Sequence, residues 1–387
     1  MARWFVHLAA ALIVVDGKMP AGAQVAPVPR ELRIGVVEGA PRLGVASSRD
    51  WAVLHPDGTS LATVSAGPAV AFRVETGALC LDASGSATMS LPPVVRCVPM
   101  PEATLSINGR PYRGQVEVRQ AESSVVGVNV VDLEAYLYGV VPAESIPSWP
   151  LEALKAQAVA ARTYALAHLG QFASLGYDLK ATVASQVYGG VALERPSTNR
   201  AVDETRGRVL TWRDRPIDAV YCDSSGGFTE SCRAAWGRDV PYLQPVPDFD
   251  QQSPHYAWEL TLEAAQVNRQ LGRQWPGSGS VEITGIEPVE RTETGRARRV
   301  RLEAGPATQV VPAERLRSSL GLRSAYWNVE RQADGRWHFV GRGWGHGIGM
   351  SQWGAKAMAD MGFTHAEILA WYYPGTVLTA PPLARLP

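Results

Sequence analysis

The sequence is short of lysine. Its 37 basic residues include only four lysines, Lys18, Lys155, Lys180 and Lys356, and the remainder are arginines. It also lacks net charge, because 37 acidic residues balance the basic ones. Proteins that track nucleic acid usually carry a basic excess or stripe, so no nucleic-acid partner is expected. No apolar run approaches the ~18–20 residues of a membrane span, which excludes a multi-span membrane protein. No internal repeat or low-complexity tract occurs. With 46% hydrophobic residues the chain is not intrinsically disordered, and 387 residues suffice for two or three domains.

What is present begins with an export pattern. Arg3 precedes a mostly apolar segment from Trp4 to Val15, and Ala21-Gly22-Ala23 offers a small-x-small cleavage site. We therefore expect a signal peptide over 1–23 and a leader over 24–30. The mature chain would be secreted or held in the cell envelope, without a membrane span. The alternative is an uncleaved anchor. The four cysteines suit export: Cys80 with Cys97 and Cys222 with Cys232 are the simplest disulfide pairs, although three connectivities are formally open. Free thiols are the other reading. Zinc on Cys222, Cys232 and His346 is disfavoured, because no C-x-x-C or H-x-x-x-H spacing accompanies them.

Residues 31–125 read as a β-rich region, with short runs such as ELRIGVV, AVAFRVE and QVEVR broken by Gly and Pro every 8–12 residues. Residues 126–380 read as a catalytic core of mixed helices and strands, followed by a Pro-bearing tail at 381–387. Strands and helices do not alternate regularly, so the expected class is α+β. The clearest helix spans about 149–169. Leu151, Leu154, Ala158, Ala161 and Ala165 form its apolar stripe, with Ser148 as N-cap and Gly170 at the C-terminal end. Lys155 and Arg162 leave one face of it, roughly 10 Å apart along the axis. Further helices are expected near 261–271, 313–320, 351–361 and 365–372.

Three stretches carry the chemistry. In the first, Glu144 lies in a Pro-flanked loop between apolar VVP and IPSWP, just before the long helix. Apolar surroundings raise a carboxyl pKa and keep the group able to donate a proton. The competing reading is a helix cap. Lys155 is a compact ammonium in a chain that otherwise prefers arginine, which suggests a role a guanidinium cannot fill. An ordinary surface pair with Glu152 is the alternative. In the second stretch, Ser224-Ser225-Gly226-Gly227 forms a polar turn able to hold an oxygen-rich ligand, or a plain β-turn. No G-x-S-x-G elbow is present. In the third, glycines alternate at 341, 343, 345, 347 and 349. An extended backbone would place them all on one bare face, with Arg342, Trp344 and His346 on the other, suited to a sugar. The alternative is a glycine strand packed tightly against another layer.

Together, LEAYLYGVVPAES with PSWPLEALKAQAVAARTYAL, then SSGGFTE, then GRGWGHGIGMSQWGA with a later YYPGT, resemble the SpoIID/LytB family, the sporulation stage II protein D and amidase-enhancer group of bacterial cell-wall proteins. The resemblance covers roughly residues 31–378. It implies a lytic transglycosylase acting on peptidoglycan glycan strands, preferably those stripped of stem peptides, with Glu144 as acid and base. It also implies that Lys155 and Arg162 are site residues. A glycan-binding enhancer of a wall amidase, without turnover, is the alternative. The second stretch departs from the family: Tyr221-Cys222-Asp223 stands where many members carry His-Ser or a His–Cys zinc arrangement, so no cofactor is expected.

Overall fold

The computed structural model describes residues 31–82, 88–272, 275 and 281–379. The expected signal peptide, leader and tail lie outside them. The β-rich segments form two sheets. One has seven strands in the order Leu179–Lys180, Glu31–Ala40, Ser124–Asp132, Gln115–Ala121, Val94–Pro99, Trp51–Leu54 and Ser60–Val64. The other has six, with Arg42–Ser47 and Val70–Glu75 at its centre. Alternating side chains from both, including Leu43, Phe72, Val95 and Val118, are buried in one core. The boundary expected at 125/126 falls inside the strand Ser124–Asp132, whose run VVGVNVV is buried along its whole length. The same core continues into the helices through Tyr136, Leu137 and Ala161.

Helix α1 (Leu133–Glu144) follows that strand directly, where the sequence suggested a loop around Glu144. Asp132 caps it by accepting from the N–H groups of Glu134 and Ala135 at 3.0 and 3.4 Å. Helix α2 (Leu151–Ala167) is the expected alanine-rich helix, shorter by two residues at each end and entered from Pro150 rather than capped by Ser148. The expected stripe is buried at Leu154, Ala158, Ala161 and Ala165, whereas Leu151 is only partly covered. Twelve of its residues are buried, because α2 lies between two cores. Ala158, Ala161 and Ala165 belong to the sheet side, while Ala156, Val159 and Ala160 face a second core with Ile348, Met350, Leu369 and Tyr372. Alanine allows a neighbour to approach on both sides.

Helices α3 (Pro196–Glu204) and α4 (Cys232–Trp236) come next. A third core then forms around Trp258, Val300, Trp327 and Phe339, enclosed by two three-stranded sheets with α5 (Ala264–Gly272) and α6 (Ala313–Leu320). Helices α7 (Gln352–Asp360) and α8 (His365–Tyr372) return to α2. The class is α+β, as expected. No helix among the described residues is long and apolar enough to cross a membrane.

All four cysteines are free, buried thiols, which corrects the disulfide expectation. Cys80 stands on the six-stranded sheet and Cys97 on the seven-stranded one, so nearness in sequence does not make them neighbours on one ladder. Burial pushes the Cys97 and Cys222 thiols up, so both behave as small core side chains.

Arg162 is fully buried in α2 and forms a two-pronged ion pair with Glu134 of α1, Nε to Oε1 at 2.9 Å and Nη2 to Oε2 at 2.6 Å. It also donates to the backbone oxygens of Arg208 and Val202. Arg162→Met should therefore cost about 3–5 kcal/mol by stranding the Glu134 charge. Urea unfolding of the variant measures this, and a loss under about 1 kcal/mol would mean that the pair does not hold the helices together.

Candidate active site

Glu144 is the last residue of α1. The helix stops because Ser145 turns extended, at φ −135°, with its hydroxyl bonded back to the Val141 oxygen at 2.7 Å. The Glu144 side chain borders a cleft of about 520 Å3, together with Tyr164, Tyr221, Asp223, Trp344 and His346. Its Oε1 accepts from the Val187 N–H at 2.8 Å, and its backbone oxygen accepts from Gln352 Nε2 at 2.7 Å. No lysine or arginine bonds to its carboxyl among the described residues. Burial raises the Glu144 pKa and the Val187 hydrogen bond only partly opposes this. The negative end of the α1 dipole acts in the same direction as burial.

The cleft floor joins the second and third stretches. Tyr221–Cys222 pairs in parallel with Met350–Ser351. Ser224 and Trp344 form an antiparallel bridge, with Trp344 N donating to Ser224 O at 2.8 Å. The third stretch is a strand to Arg342 and again at Met350–Ser351, and between them the expected extended glycine ladder is absent. Gly343, Gly345, Gly347 and Gly349 all have positive φ. The loop lies directly against its neighbours: a Cβ on Gly349 would stand 2.1 Å from the Val220 oxygen, and one on Gly343 would stand 2.6 Å from the Ser224 oxygen. Only glycine satisfies both the backbone angle and the close approach. The tight-packing alternative was thus the better reading, with a different backbone.

Trp344 is 42% exposed, so its indole is available at the cleft. His346 is held at about pKa 4, mainly by burial and with help from Arg317, and is neutral at pH 7. Its Nδ1 accepts from the Ile348 N–H at 3.0 Å. These two residues join Glu144 as expected. The remaining expected residues do not. Lys155 is held by Glu152 and Glu204, each at 2.7 Å, and does not line the cleft. Arg162 is sealed beneath α1. Ser224 and Ser225 are buried, their hydroxyls donating to Asp250 and Asp248 at 2.5 Å, so neither is free for a ligand. Arg342 borders a separate cleft with Tyr326 and Trp327. Its guanidinium lies near the Tyr256 and Tyr326 rings, 5.9 Å from each centroid.

Sequence reasoning missed residues that line the cleft, Asp223 and Gln352, and one buried beneath it, Gln186. Gln186 is buried and ties the Val187 segment down, bonding to Tyr136, Tyr221 and the Ala161 oxygen. Nothing in its local sequence marks it. Asp223 was visible as a carboxyl inside a stretch already singled out. Gln352 was visible as the polar residue following Gly-Met-Ser.

The family model described as Stage II sporulation protein matches residues 121–212, which contain Glu144 and α2. A second model, for a domain of unknown function, matches residues 238–349. The stage II sporulation protein D of Bacillus subtilis is 33% identical over 269 residues, covering 65% of this chain and 76% of that protein. The chain belongs to the stage II sporulation protein D family. An uncharacterized protein of Brachyspira hyodysenteriae is 32% identical over 70% of this chain and 73% of its own length. The amidase enhancer of Bacillus subtilis is 34% identical over 293 residues, but these span only 40% of that longer protein. The family segment holds both Glu144 and the Glu134–Arg162 pair, one at a cleft and one in the core.

Among the described residues no group of three or more His, Cys, Asp or Glu side chains is arranged to hold a metal ion. Cys222, Cys232 and His346 do not form such a group.

A carboxyl with a raised folded pKa binds its proton more tightly in the folded state than in the unfolded one. Its favourable contribution is therefore complete below the unfolded value near 4.5 and is lost as pH rises through the folded value. Glu144→Gln should accordingly raise the melting temperature at pH 7–8, with the gain shrinking as pH falls through the folded value and gone below about 4.5. Melting curves of both proteins across this range test it, and a gain independent of pH would show that Glu144 is not held protonated by its surroundings.

Proposed function

We propose that the protein is an exported peptidoglycan lytic transglycosylase acting in the cell envelope, with Glu144 as the single proton donor and acceptor. The observation that carries this reading is a raised-pKa carboxyl bordering a cleft beside an exposed indole, with no cation bonded to it. A sugar ring packs against the exposed part of the Trp344 indole. Glu144 protonates the bridging oxygen of a MurNAc–GlcNAc bond, and the C1–O electrons leave with that oxygen. The C6 hydroxyl of the same sugar then closes on C1 and returns its proton to Glu144, giving a 1,6-anhydro end. Glycosidases that admit water need a second carboxyl as nucleophile or base. Here the attacking hydroxyl is already attached to the substrate, which replaces that requirement. Strands stripped of stem peptides are the preferred substrate in this reading, as the family resemblance implies.

A second reading has its own support. One relative is named an amidase enhancer, and none of the expected cationic residues, Lys155, Arg162 and Arg342, lines the cleft. In that reading the protein holds glycan for a cell-wall amidase and does not cut it.

Product chemistry separates the two. The mature chain incubated with purified sacculi and denuded strands should release fragments with 1,6-anhydro ends, detected by mass spectrometry. Glu144→Gln should lower the rate by about 10²–10⁴-fold. Reducing ends in place of anhydro ends would mean that water attacks. Equal release by both proteins would remove Glu144 as the acid, and glycan retention without release would favour the enhancer. The rate should also decline on the alkaline side, as pH rises through the raised Glu144 pKa and the donor is lost.

A further inference from the structure

The cleft contains a second carboxyl, Asp223, which the transglycosylase reading leaves unused. It directly follows the strand Tyr221–Cys222, and its backbone oxygen accepts from the Trp353 N–H at 3.1 Å, at the start of α7. Its backbone is thus fixed from both sides. The side chain is fixed as well: Oδ1 bonds to His255 Nδ1 at 2.8 Å. His255 is itself held, with its backbone N–H donating to Ser253 Oγ at 3.0 Å and its ring edge-on to Trp344 at a centroid distance of 4.3 Å. The Arg323 guanidinium covers the same indole at 5.1 Å. Asp223 lines the cleft with Glu144, and His255 does not, so the carboxylate is the member of the pair that borders the substrate space. About a third of the Asp223 side chain is exposed there.

We propose that Asp223, oriented by His255, acts as a carboxylate that stabilises the positive charge developing on the sugar ring as the glycosidic bond breaks. The proposal rests on the transglycosylase reading and adds a second charge to it. Loss of the leaving oxygen spreads positive charge over C1 and the ring oxygen. A fixed anion in a partly dehydrated cleft lowers the energy of that state without having to reorganise. Asp223 forms no bond and moves no proton, so proton traffic stays with Glu144. The two carboxyls stand in different company. Glu144 bonds only to a neutral N–H; at Asp223 burial raises the carboxyl pKa, and the bond to the His255 imidazole partly offsets that rise. Asp250 repels this charge and Arg323 attracts it.

The test compares initial rates of anhydro-product release from denuded strands by the mature chain and three variants. Asp223→Asn should lower kcat about 100-fold while KM stays within about two-fold, with unchanged melting temperature and glycan retention. Asp223→Glu should recover part of the rate, and His255→Gln should fall between Asp223→Asn and wild type. Wild-type kcat in Asp223→Asn, alongside an inactive Glu144→Gln, would overturn this proposal and leave the transglycosylase reading standing. A change in KM alone would also overturn it, by making Asp223 a binding contact. Absence of anhydro product from the wild type would sink both. Should Asp223→Asn fail to fold, Asp223→Ser replaces it, and full kcat in that variant has the same meaning.

Discussion

The geometry of the cleft depends on a charge pair that never reaches it. A guanidinium has five N–H donors, and burying one requires most of them to be met. Arg162 achieves this by taking both oxygens of Glu134 and the backbone oxygens of Val202 and Arg208, while the Gly207 N–H adds a further bond to Glu134. One side chain therefore links α1, α2, the end of α3 and the turn that follows. Fixing the start of α1 also fixes its far end, because a helix is a rigid rod at this length. Glu144 stands ten residues on, about 15 Å along the axis. The acid is aimed from below by a pair that no ligand touches.

That arrangement separates two uses of a carboxyl within one stretch of sequence. Glu134 has a cation and three helices around it, so its charge is a structural element. Glu144 has a backbone N–H and an open cleft, so its charge is poorly supported and its proton is retained. The third stretch completes the contrast. Gln352 grips the Glu144 backbone, and the glycine loop runs tight against Val220 and Ser224, leaving no room for a side chain there. Close packing on that side keeps the cleft shape from depending on flexible groups, and it brings Trp344 to the rim.

Much of this was legible in the sequence. The alanine repeat gave α2, and 313–320 and 365–372 became α6 and α8 with those bounds. The expected strand runs ELRIGVV, AVAFRVE and QVEVR are strands. Helix α1 was not legible, for a physical reason. Leu133–Glu144 is apolar almost throughout and contains Pro142, so it shows neither a polar face nor the usual helix composition. It is helical because it is buried on several sides and well capped. The disulfide expectation failed similarly: spacing along the chain said nothing about which sheet each cysteine joins. The buried serines show the limit of motif reading, since a polar turn beside a cleft can be folded inward, its hydroxyls given to Asp248 and Asp250.

The scarcity of lysine turns out to be informative in another way. The sequence suggested that a rare ammonium marks chemistry, yet all three described lysines are in ion pairs: Lys155 with Glu152 and Glu204, Lys180 with Glu38, and Lys356 with Asp360. At Lys155 the reason for the residue type is geometric. Its Nζ meets two carboxylates, one from its own helix and one from the end of α3, each at 2.7 Å. A single atom with three donors in a cone can serve both at once, whereas a planar guanidinium presents its donors in one plane and favours a single two-pronged partner. Arg162 is the converse case, paired through two parallel bonds with one carboxylate. At Lys155 and Lys180 the chain keeps a point charge between separate elements, whereas Lys356 pairs within α7. In this family segment Lys155 and Arg162 hold the frame, and the cleft beside Glu144 is lined by Asp223, Trp344, a neutral imidazole and Arg317 from outside the segment.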